Sequence, residues 1–243
     1  MRKGYTTKAI LLFYILILVA AAGRIMKSQA PEVPVSDTIA RISISQYVTI
    51  SPYDTHFRAV ADSMLDCDWK LLAAIAFTES RFDSTAVSGV GASGVMQVMP
   101  RTMRKMGIPD SLHLDTRSNI IAAATLIKDL NHIFRRIEDP NEKINFVLAS
   151  YNAGIGQVSD AMRLAQKYGR DRYKWENNVD TFLILKSEPE YYNDSICKNG
   201  QFKDHKQTLQ FIKKVKRNWN KFNRMQQAYS DSIENIAKSD SII

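Results

Sequence analysis

Cysteine and histidine are scarce in this chain of 243 residues, and their scarcity narrows the kinds of site it can hold. The four histidines are scattered, at His56, His113, His132 and His205. A metal site needs several such ligands at short, regular spacing, so we expect no metal and no cofactor. The two cysteines, Cys67 and Cys197, could pair in an oxidising compartment or remain separate thiols, and their positions in the sequence leave both alternatives open.

Strand-like alternation of polar and apolar residues is also lacking after residue 51, and the chain has no internal repeats. Helical spacing is present instead, most clearly over residues 119–134, where apolar residues recur every three or four positions. The predicted helices cover residues 69–79, 100–106, 119–134, 144–151, 158–168, 175–185 and 208 onward. We therefore predict an all-α domain.

One apolar run, residues 9–22, stands out near the N-terminus. Basic residues precede it and small residues end it, which is typical of an export signal within residues 1–23. The run is shorter than the roughly 20 residues of a spanning helix. Arg24 and Lys27 follow it directly, however, so an uncleaved membrane anchor stays open. We expect an exported protein of the periplasm or cell envelope, with residues 9–22 as its route to membrane association.

The remaining sequence divides into three parts. Residues 24–51 carry Pro31, Pro34 and many serines and threonines, a composition that predicts a linker. Residues 52–228 are long enough for one compact domain with a sizeable core. Residues 229–243 are expected to form a flexible tail. We expect a monomer.

The net charge is +8, and part of the excess lies between Lys198 and Arg224. A basic exported domain could favour an anionic polymer such as the cell wall, or a membrane surface. A solvated helix face is the commoner meaning of such a run. No nucleic-acid-binding motif is present, so we expect no nucleic-acid partner.

Glu79 is the first candidate catalytic residue. It shares the spacing of Leu72, Ile75 and Ala76, so its carboxylate lies on the buried face of a helix. Burial disfavours the charged form, and so does the negative end of the helix dipole. Both effects favour a proton donor near neutral pH. The alternatives are a solvent-facing carboxylate or one paired with Arg81.

Two further segments could complete a sugar-binding site. In the glycine-rich loop 88–94, Gly94 lets backbone groups approach a ligand closely. Met96 could pack on an apolar sugar face, and Gln97 could bind an acetamido group. Tyr151 and Asn152 end a later helix, where they could bond substrate or Glu79. The alternatives are an ordinary loop with Met96 in the core, a capping role for Asn152 and a core role for Tyr151.

Three motifs in this order resemble the soluble lytic transglycosylase family: Glu79-Ser80, Gly94-Val95-Met96-Gln97 and Ser150-Tyr151-Asn152-Ala153-Gly154. Those enzymes cleave peptidoglycan with a domain similar to goose-type lysozyme. Gly91-Ala92, Pro100 and Thr102 also match the family pattern, and the resemblance covers roughly Pro52 to Phe222. Tyr191-Tyr192 makes the chain most similar to the catalytic part of the membrane-bound type F subgroup.

The resemblance implies that peptidoglycan glycan strands are the partner and that Glu79 is the single acid/base. Ser80 would orient Glu79 or a substrate acetamido group. Sugar binding is implied for Gly94, Met96, Gln97, Tyr151, Asn152 and Ala153. The chain departs from the family pattern at Val95, at Ser150, and at Gln207 and Phe211, where the family often has an acid and a tyrosine.

The shortage of acids bears on the type of reaction. Hydrolytic glycosidases generally need two carboxylates, yet the chain has none between Asp83 and Asp110. A single carboxylate suits attack by the substrate's own 6-hydroxyl, which forms a 1,6-anhydro end. We therefore predict a lytic transglycosylase. The alternatives are a lysozyme-type hydrolase and a weak or inactive peptidoglycan-binding module, the latter suggested by Gln207 and Phe211.

Overall fold

The computed structural model describes residues 47–64 and 67–240, with side chains described as far as residue 235. The predicted export segment, residues 1–23, and the linker as far as residue 46 lie outside the described residues. The helices are α1 (Asp54–Ser63), α2 (Trp69–Ser80), α3 (Pro100–Lys105), α4 (Thr116–Ile133), α5 (Pro140–Ala153), α6 (Ile155–Lys167), α7 (Asp180–Leu185), α8 (Pro189–Tyr192) and α9 (His205–Asp240). A 3-10 turn, Asp110–Leu112, and a π-type turn, Trp175–Val179, complete the set.

The all-α prediction is confirmed for the described residues, where the extended pairing is confined to isolated bridges from Ser93 to Val87 and to Val98. Aspartates are the N-cap residues of three helices. Asp68, Asp115 and Asp139 each accept a hydrogen bond from a backbone N–H in the first turn of α2, α4 and α5. Such caps satisfy donors that would otherwise lack a partner.

Helix α2 lies at the centre of the core. Its residues Leu72 to Ala76 are fully buried, which explains why it is apolar on nearly all sides. Helix α9 packs against both α2 and α5, while α4 packs against α1 and α5. Because α2 and α5 carry two of the three motifs, their shared contact with α9 brings those motifs to one end of the bundle.

Several helix boundaries differ from the sequence predictions. Helix α5 begins at Pro140, because Asp139 and Pro140 form an N-cap and first turn rather than a loop. The predicted helix 175–185 is interrupted at Asn177, which adopts a left-handed φ of 57°. Helix α9 continues into the predicted tail, as far as Asp240.

The structure also bears on membrane-spanning helices, on the two cysteines and on the predicted linker. Within residues 47–64 and 67–240, no helix is both long and apolar enough to cross a membrane. Cys67 and Cys197 are both free thiols, so the disulfide is not formed. The last residues of the predicted linker contact the domain, since the Tyr47 ring meets Trp69 edge-on at 6.2 Å.

Candidate active site

Glu79 lies in the last turn of α2 and is partly buried. Burial raises the pKa of Glu79 from its ordinary value of 4.5 to about 8. No hydrogen bond or ion pair to its carboxyl, from Arg81 or any other side chain, is formed among the residues described. The carboxyl is therefore protonated at neutral pH and free to donate its proton to a ligand.

The backbone turns sharply directly after Glu79. Arg81 and Phe82 have left-handed φ values of 57° and 70°, and the Arg81 N–H closes the helix by bonding the Phe77 carbonyl. Two consecutive non-glycine residues in this region are uncommon and carry strain. The Phe77 and Phe82 rings pack 5.4 Å apart and hold the turn in place.

Ser80 joins the end of α2 to the glycine-rich loop. Its hydroxyl donates a hydrogen bond to the Val95 carbonyl at 2.8 Å and lies 3.3 Å from the Ala76 carbonyl. The Ser80 hydroxyl therefore contacts the backbone of the neighbouring loop, and within the described residues it makes no hydrogen bond to the Glu79 carboxyl.

The glycine-rich loop is built around a buried amide, that of Asn119 on α4. Its Oδ1 accepts from the Met96 N–H at 2.7 Å, and its Nδ2 donates to the Ser93 carbonyl at 2.8 Å. Gly94 has a left-handed φ of 73°, and a Cβ added there would lie 2.7 Å from Asn119 Cγ. Only glycine fits this position without displacing Asn119.

The side chains of Met96 and Gln97 differ in what they offer a ligand. Met96 is fully buried, so its side chain belongs to the core rather than to a sugar subsite, and its carbonyl accepts from the Tyr151 hydroxyl. Gln97 is partly exposed, with a left-handed φ of 49°. Its Nε2 donates to the Ala86 and Gly94 carbonyls at 3.0 Å each, which leaves Oε1 as the free acceptor for a ligand.

Tyr151 lies on α5 and closes the site opposite the loop. Its hydroxyl donates to the Met96 carbonyl at 2.8 Å, and its ring lies parallel to Phe211 of α9 at 6.2 Å. Burial raises the pKa of Tyr151 well above its ordinary value, and the charge of Glu79 adds to the increase. Glu79 is therefore close enough to Tyr151 for its charge to act on the hydroxyl.

Asn152 and Ala153 end α5 beside the first turns of α9. Asn152 Oδ1 accepts from the Thr208 hydroxyl at 2.8 Å. Both residues are partly exposed, and Gly154 ends the helix with a left-handed φ of 86°. The capping alternative for Asn152 is not what the structure shows, because its side chain bonds α9 rather than its own helix.

The structure thus links the three motifs by two hydrogen bonds, which Ser80 donates to the Val95 carbonyl and Tyr151 donates to the Met96 carbonyl. Glu79, Ser80, Gln97, Tyr151, Asn152 and Ala153 are partly exposed, whereas Gly94 and Met96 are buried. Sequence reasoning missed Asn119 and Thr208. The sequence did indicate that Asn119 is buried. It lies four residues before Ala123 and next to Ile120, which places this polar side chain on the buried face of an amphipathic helix.

Comparison with known proteins finds similarity to lytic transglycosylases. Residues 58–174 match the family model described as Transglycosylase SLT domain. A membrane-bound lytic murein transglycosylase F of Desulfosudis oleivorans is 32% identical over 182 residues, which cover 68% of this chain and 39% of that protein. The Maricaulis maris protein of the same name is 34% identical over 167 residues, covering 68% of this chain and 34% of its own.

The chain thus spans well under half the length of these curated relatives. Among solved structures, a lytic transglycosylase Slt from Pseudomonas aeruginosa aligns over 73% of this chain and 25% of its own, with 23% sequence identity and a TM-score of 0.49. The resemblance of the three motifs is confirmed by the sequence matches.

Proposed function

We propose that this chain, whose residues 58–174 match the transglycosylase SLT domain family model, is a lytic transglycosylase acting on peptidoglycan glycan strands in the cell envelope. The bond cleaved is the β-1,4 bond from N-acetylmuramic acid to N-acetylglucosamine. The observation that carries this proposal is the partly buried carboxyl of Glu79, whose pKa of about 8 keeps it protonated near neutral pH.

In the first step, Glu79 donates its proton to the oxygen of the scissile bond. The bond between that oxygen and C1 of the muramic sugar breaks, and its electron pair stays with the departing oxygen. The positive charge that develops at C1 is stabilised by the carbonyl oxygen of the substrate's own acetamido group. A protonated carboxyl at this point is what general acid catalysis requires.

In the second step, the Glu79 carboxylate removes the proton from the 6-hydroxyl of the same sugar. The oxygen attacks C1, which closes a 1,6-anhydro ring and restores protonated Glu79 without consuming water. No second carboxylate is needed, and the nearest acid after Glu79, Asp83, is exposed and bonded to Thr85. The internal hydroxyl competes with water because it is held at a high effective concentration.

Gln97, Tyr151 and Asn152 are the residues proposed to bind the sugars. The free Oε1 of Gln97 can accept from an acetamido N–H. The Met96 carbonyl holds Tyr151 at the edge of the site, while Thr208 holds Asn152. Gly94 and Ser80 act through the loop backbone, and Ala153 contributes a small side chain beside Asn152.

The test is digestion of purified peptidoglycan, followed by mass spectrometry of the soluble muropeptides. The proposal expects anhydro products from the wild type and none from Glu79→Gln, which cannot donate or accept the proton. Products heavier by one water would show a lysozyme-type hydrolase. Equal background release by both proteins would show a binding module without activity.

The pH dependence gives a second test of the same assignment. Because Glu79 must be protonated to act first as an acid, kcat/KM should fall as the pH rises through about 8, with the loss of one proton. A rate that instead fell on the acid side of pH 7 would mean that Glu79 acts first as a base.

A further inference from the structure

The outward face of α9 carries a row of exposed cations. They recur at helical spacing and so share one side of the helix: Lys206, Lys213, Lys214, Arg217, Lys221 and Arg224. The buried residues of α9, such as Val215 and Phe222, lie on the opposite side, against α2 and α5. These six residues are called the α9 cation row, and they extend over about 27 Å of helix.

Little in the domain neutralises the α9 cation row. The sequence has no acidic residue between Asp204 and Asp231, and within the described part of the chain none of the six cations forms an ion pair. Lys213 lines a cavity of about 460 Å³ together with Glu176 and Asp180, so its charge is partly balanced. Arg217, Lys221 and Arg224 continue the row beyond that cavity.

The chain joins the domain close to one end of this row. The Val48 N–H donates to Gln226 Oε1 at 3.3 Å, two residues after Arg224 on α9. Everything before Tyr47, including the apolar run 9–22, is therefore connected to the domain beside the cations. The apolar run is separated from Tyr47 by 24 residues, and a random coil of that length has a root-mean-square span of about 27 Å, similar to the length of the row.

We propose that the α9 cation row binds an anionic phospholipid surface. A row of lysines and arginines tethered next to an apolar segment has the charge and the position to contact lipid phosphates. Electrostatic attraction acts within a Debye length of about 8 Å at physiological salt, and the linker keeps the row near a membrane into which the run inserts.

Docking through α9 also sets the direction in which the candidate active site faces. Helix α9 supplies Phe211 to the Tyr151 ring and Thr208 to Asn152, so the site moves as one body with the cation row. The domain would be held with α9 towards the lipid, rather than turning freely at the end of its linker.

The experiment is co-sedimentation of the full chain with vesicles of neutral phosphatidylcholine and with vesicles in which about one third of the lipid is phosphatidylglycerol. The neutral vesicles measure insertion of the apolar run alone. The proposal expects the anionic vesicles to bind at least tenfold more tightly, and expects high salt to remove that difference.

A triple variant, Arg217→Gln, Lys221→Gln and Arg224→Gln, should lose the tenfold difference while binding neutral vesicles as before. Glutamine keeps the helix propensity of α9. The matched control is Arg101→Gln, Lys105→Gln and Arg136→Gln, which removes the same charge from exposed positions elsewhere. It should retain the preference for anionic vesicles.

Three outcomes would overturn the proposal. Equal losses in the two triple variants would mean that only net charge matters. A wild type without preference for anionic vesicles would mean that the row does not meet lipid. A row variant that binds vesicles normally but fails to sediment with purified peptidoglycan would assign the row to the wall polymer.

Discussion

The hydroxyl of Tyr151 donates a hydrogen bond to the carbonyl of Met96 at 2.8 Å, across 55 residues of sequence. This bond joins α5 to the glycine-rich loop and commits the only proton of the tyrosine hydroxyl. Tyr151 therefore does not donate a hydrogen bond to the Glu79 carboxyl. A donor to the carboxylate would favour its charged form, so the direction of this bond helps to keep Glu79 protonated.

The first prediction removes this bond. Tyr151→Phe leaves the Met96 carbonyl without its donor, and we expect the free energy of unfolding to fall by about 1–2 kcal/mol. We also expect slower release of muropeptides, because one wall of the site loosens. Urea unfolding and the muropeptide assay measure the two effects.

The control for this change is Tyr168→Phe. Tyr168 is exposed and also packs on a neighbouring ring, that of Phe182, but it makes no side-chain hydrogen bond to a carbonyl in the described chain. Tyr168→Phe should leave both the free energy of unfolding and the rate of muropeptide release close to those of the wild type. If Tyr151→Phe behaved like this control, the bond to Met96 would not support the site.

The second prediction concerns Gly94. Gly94→Ala adds a Cβ at 2.7 Å from Asn119 Cγ and forces a side chain into a left-handed φ of 73°. We expect the free energy of unfolding to fall by about 2–4 kcal/mol, because the backbone is strained and Asn119 is displaced. Gly91→Ala is the matched control, because Gly91 has a φ of 87° but nothing within 4 Å of the added Cβ.

Both variants strain the backbone, but only Gly94→Ala also displaces Asn119. Gly91→Ala should therefore cost about 1–2 kcal/mol and keep its activity, whereas Gly94→Ala should lose activity as well. Equal losses of stability in denaturant unfolding, with activity kept in both, would show that Asn119 adapts and that its contact with Gly94 is unimportant.

The third prediction uses the raised pKa of Glu79. A carboxyl whose pKa rises from 4.5 to about 8 on folding destabilises the protein once the pH exceeds 4.5, and the penalty stops growing above about 8. Glu79→Gln removes that penalty. The variant should match the wild type near pH 4.5 and exceed its stability at pH 8 by roughly 3 kcal/mol, allowing for partial exposure.

This measurement is independent of catalysis, since it needs only unfolding curves at several pH values. Glu138→Gln is a suitable control, because Glu138 is exposed and should give the same small change at every pH. A Glu79→Gln variant no more stable at pH 8 than at pH 4.5 would mean that the carboxyl is well hydrated, and the general-acid assignment would lose its physical basis.

The sequence predicted helix α2, with Glu79 near its C-terminal end, because apolar spacing along one helix is a local pattern. For Met96 the sequence left a sugar-binding role and a core role both open, since an apolar residue beside a glycine-rich loop suits either, and the structure shows the core role. The hydrogen bond from Met96 to Asn119 joins residues 23 positions apart and depends on tertiary packing. Helix α1 was missed for a related reason, since α4 and α2 supply the contacts that bury its Phe57 and Val60.

The last prediction tests a buried charge cluster that holds the segment before α9. Lys186 and Asp160 are both fully buried, and Lys186 Nζ donates to Asp160 at 2.6 Å, to Gln157 at 2.6 Å and to the Asn199 carbonyl at 2.9 Å. Lys186→Met leaves the Asp160 charge buried without this partner. We expect the free energy of unfolding at neutral pH to fall by about 3–5 kcal/mol.

The pH dependence of this loss has a defined sign. Burial by itself raises the pKa of Asp160, but the hydrogen bonds from Lys186 and from the Lys198 and Asn199 N–H groups outweigh it and hold the pKa below 3.8. A lowered pKa stabilises the fold above pH 3.8, and that stabilisation disappears as the pH falls further. The gap between wild type and Lys186→Met should therefore narrow on acidification. Lys167→Met, at an exposed lysine paired with Asp194, should cost far less stability than Lys186→Met, and an equal effect of both variants would mean that Lys186 acts only as a surface charge.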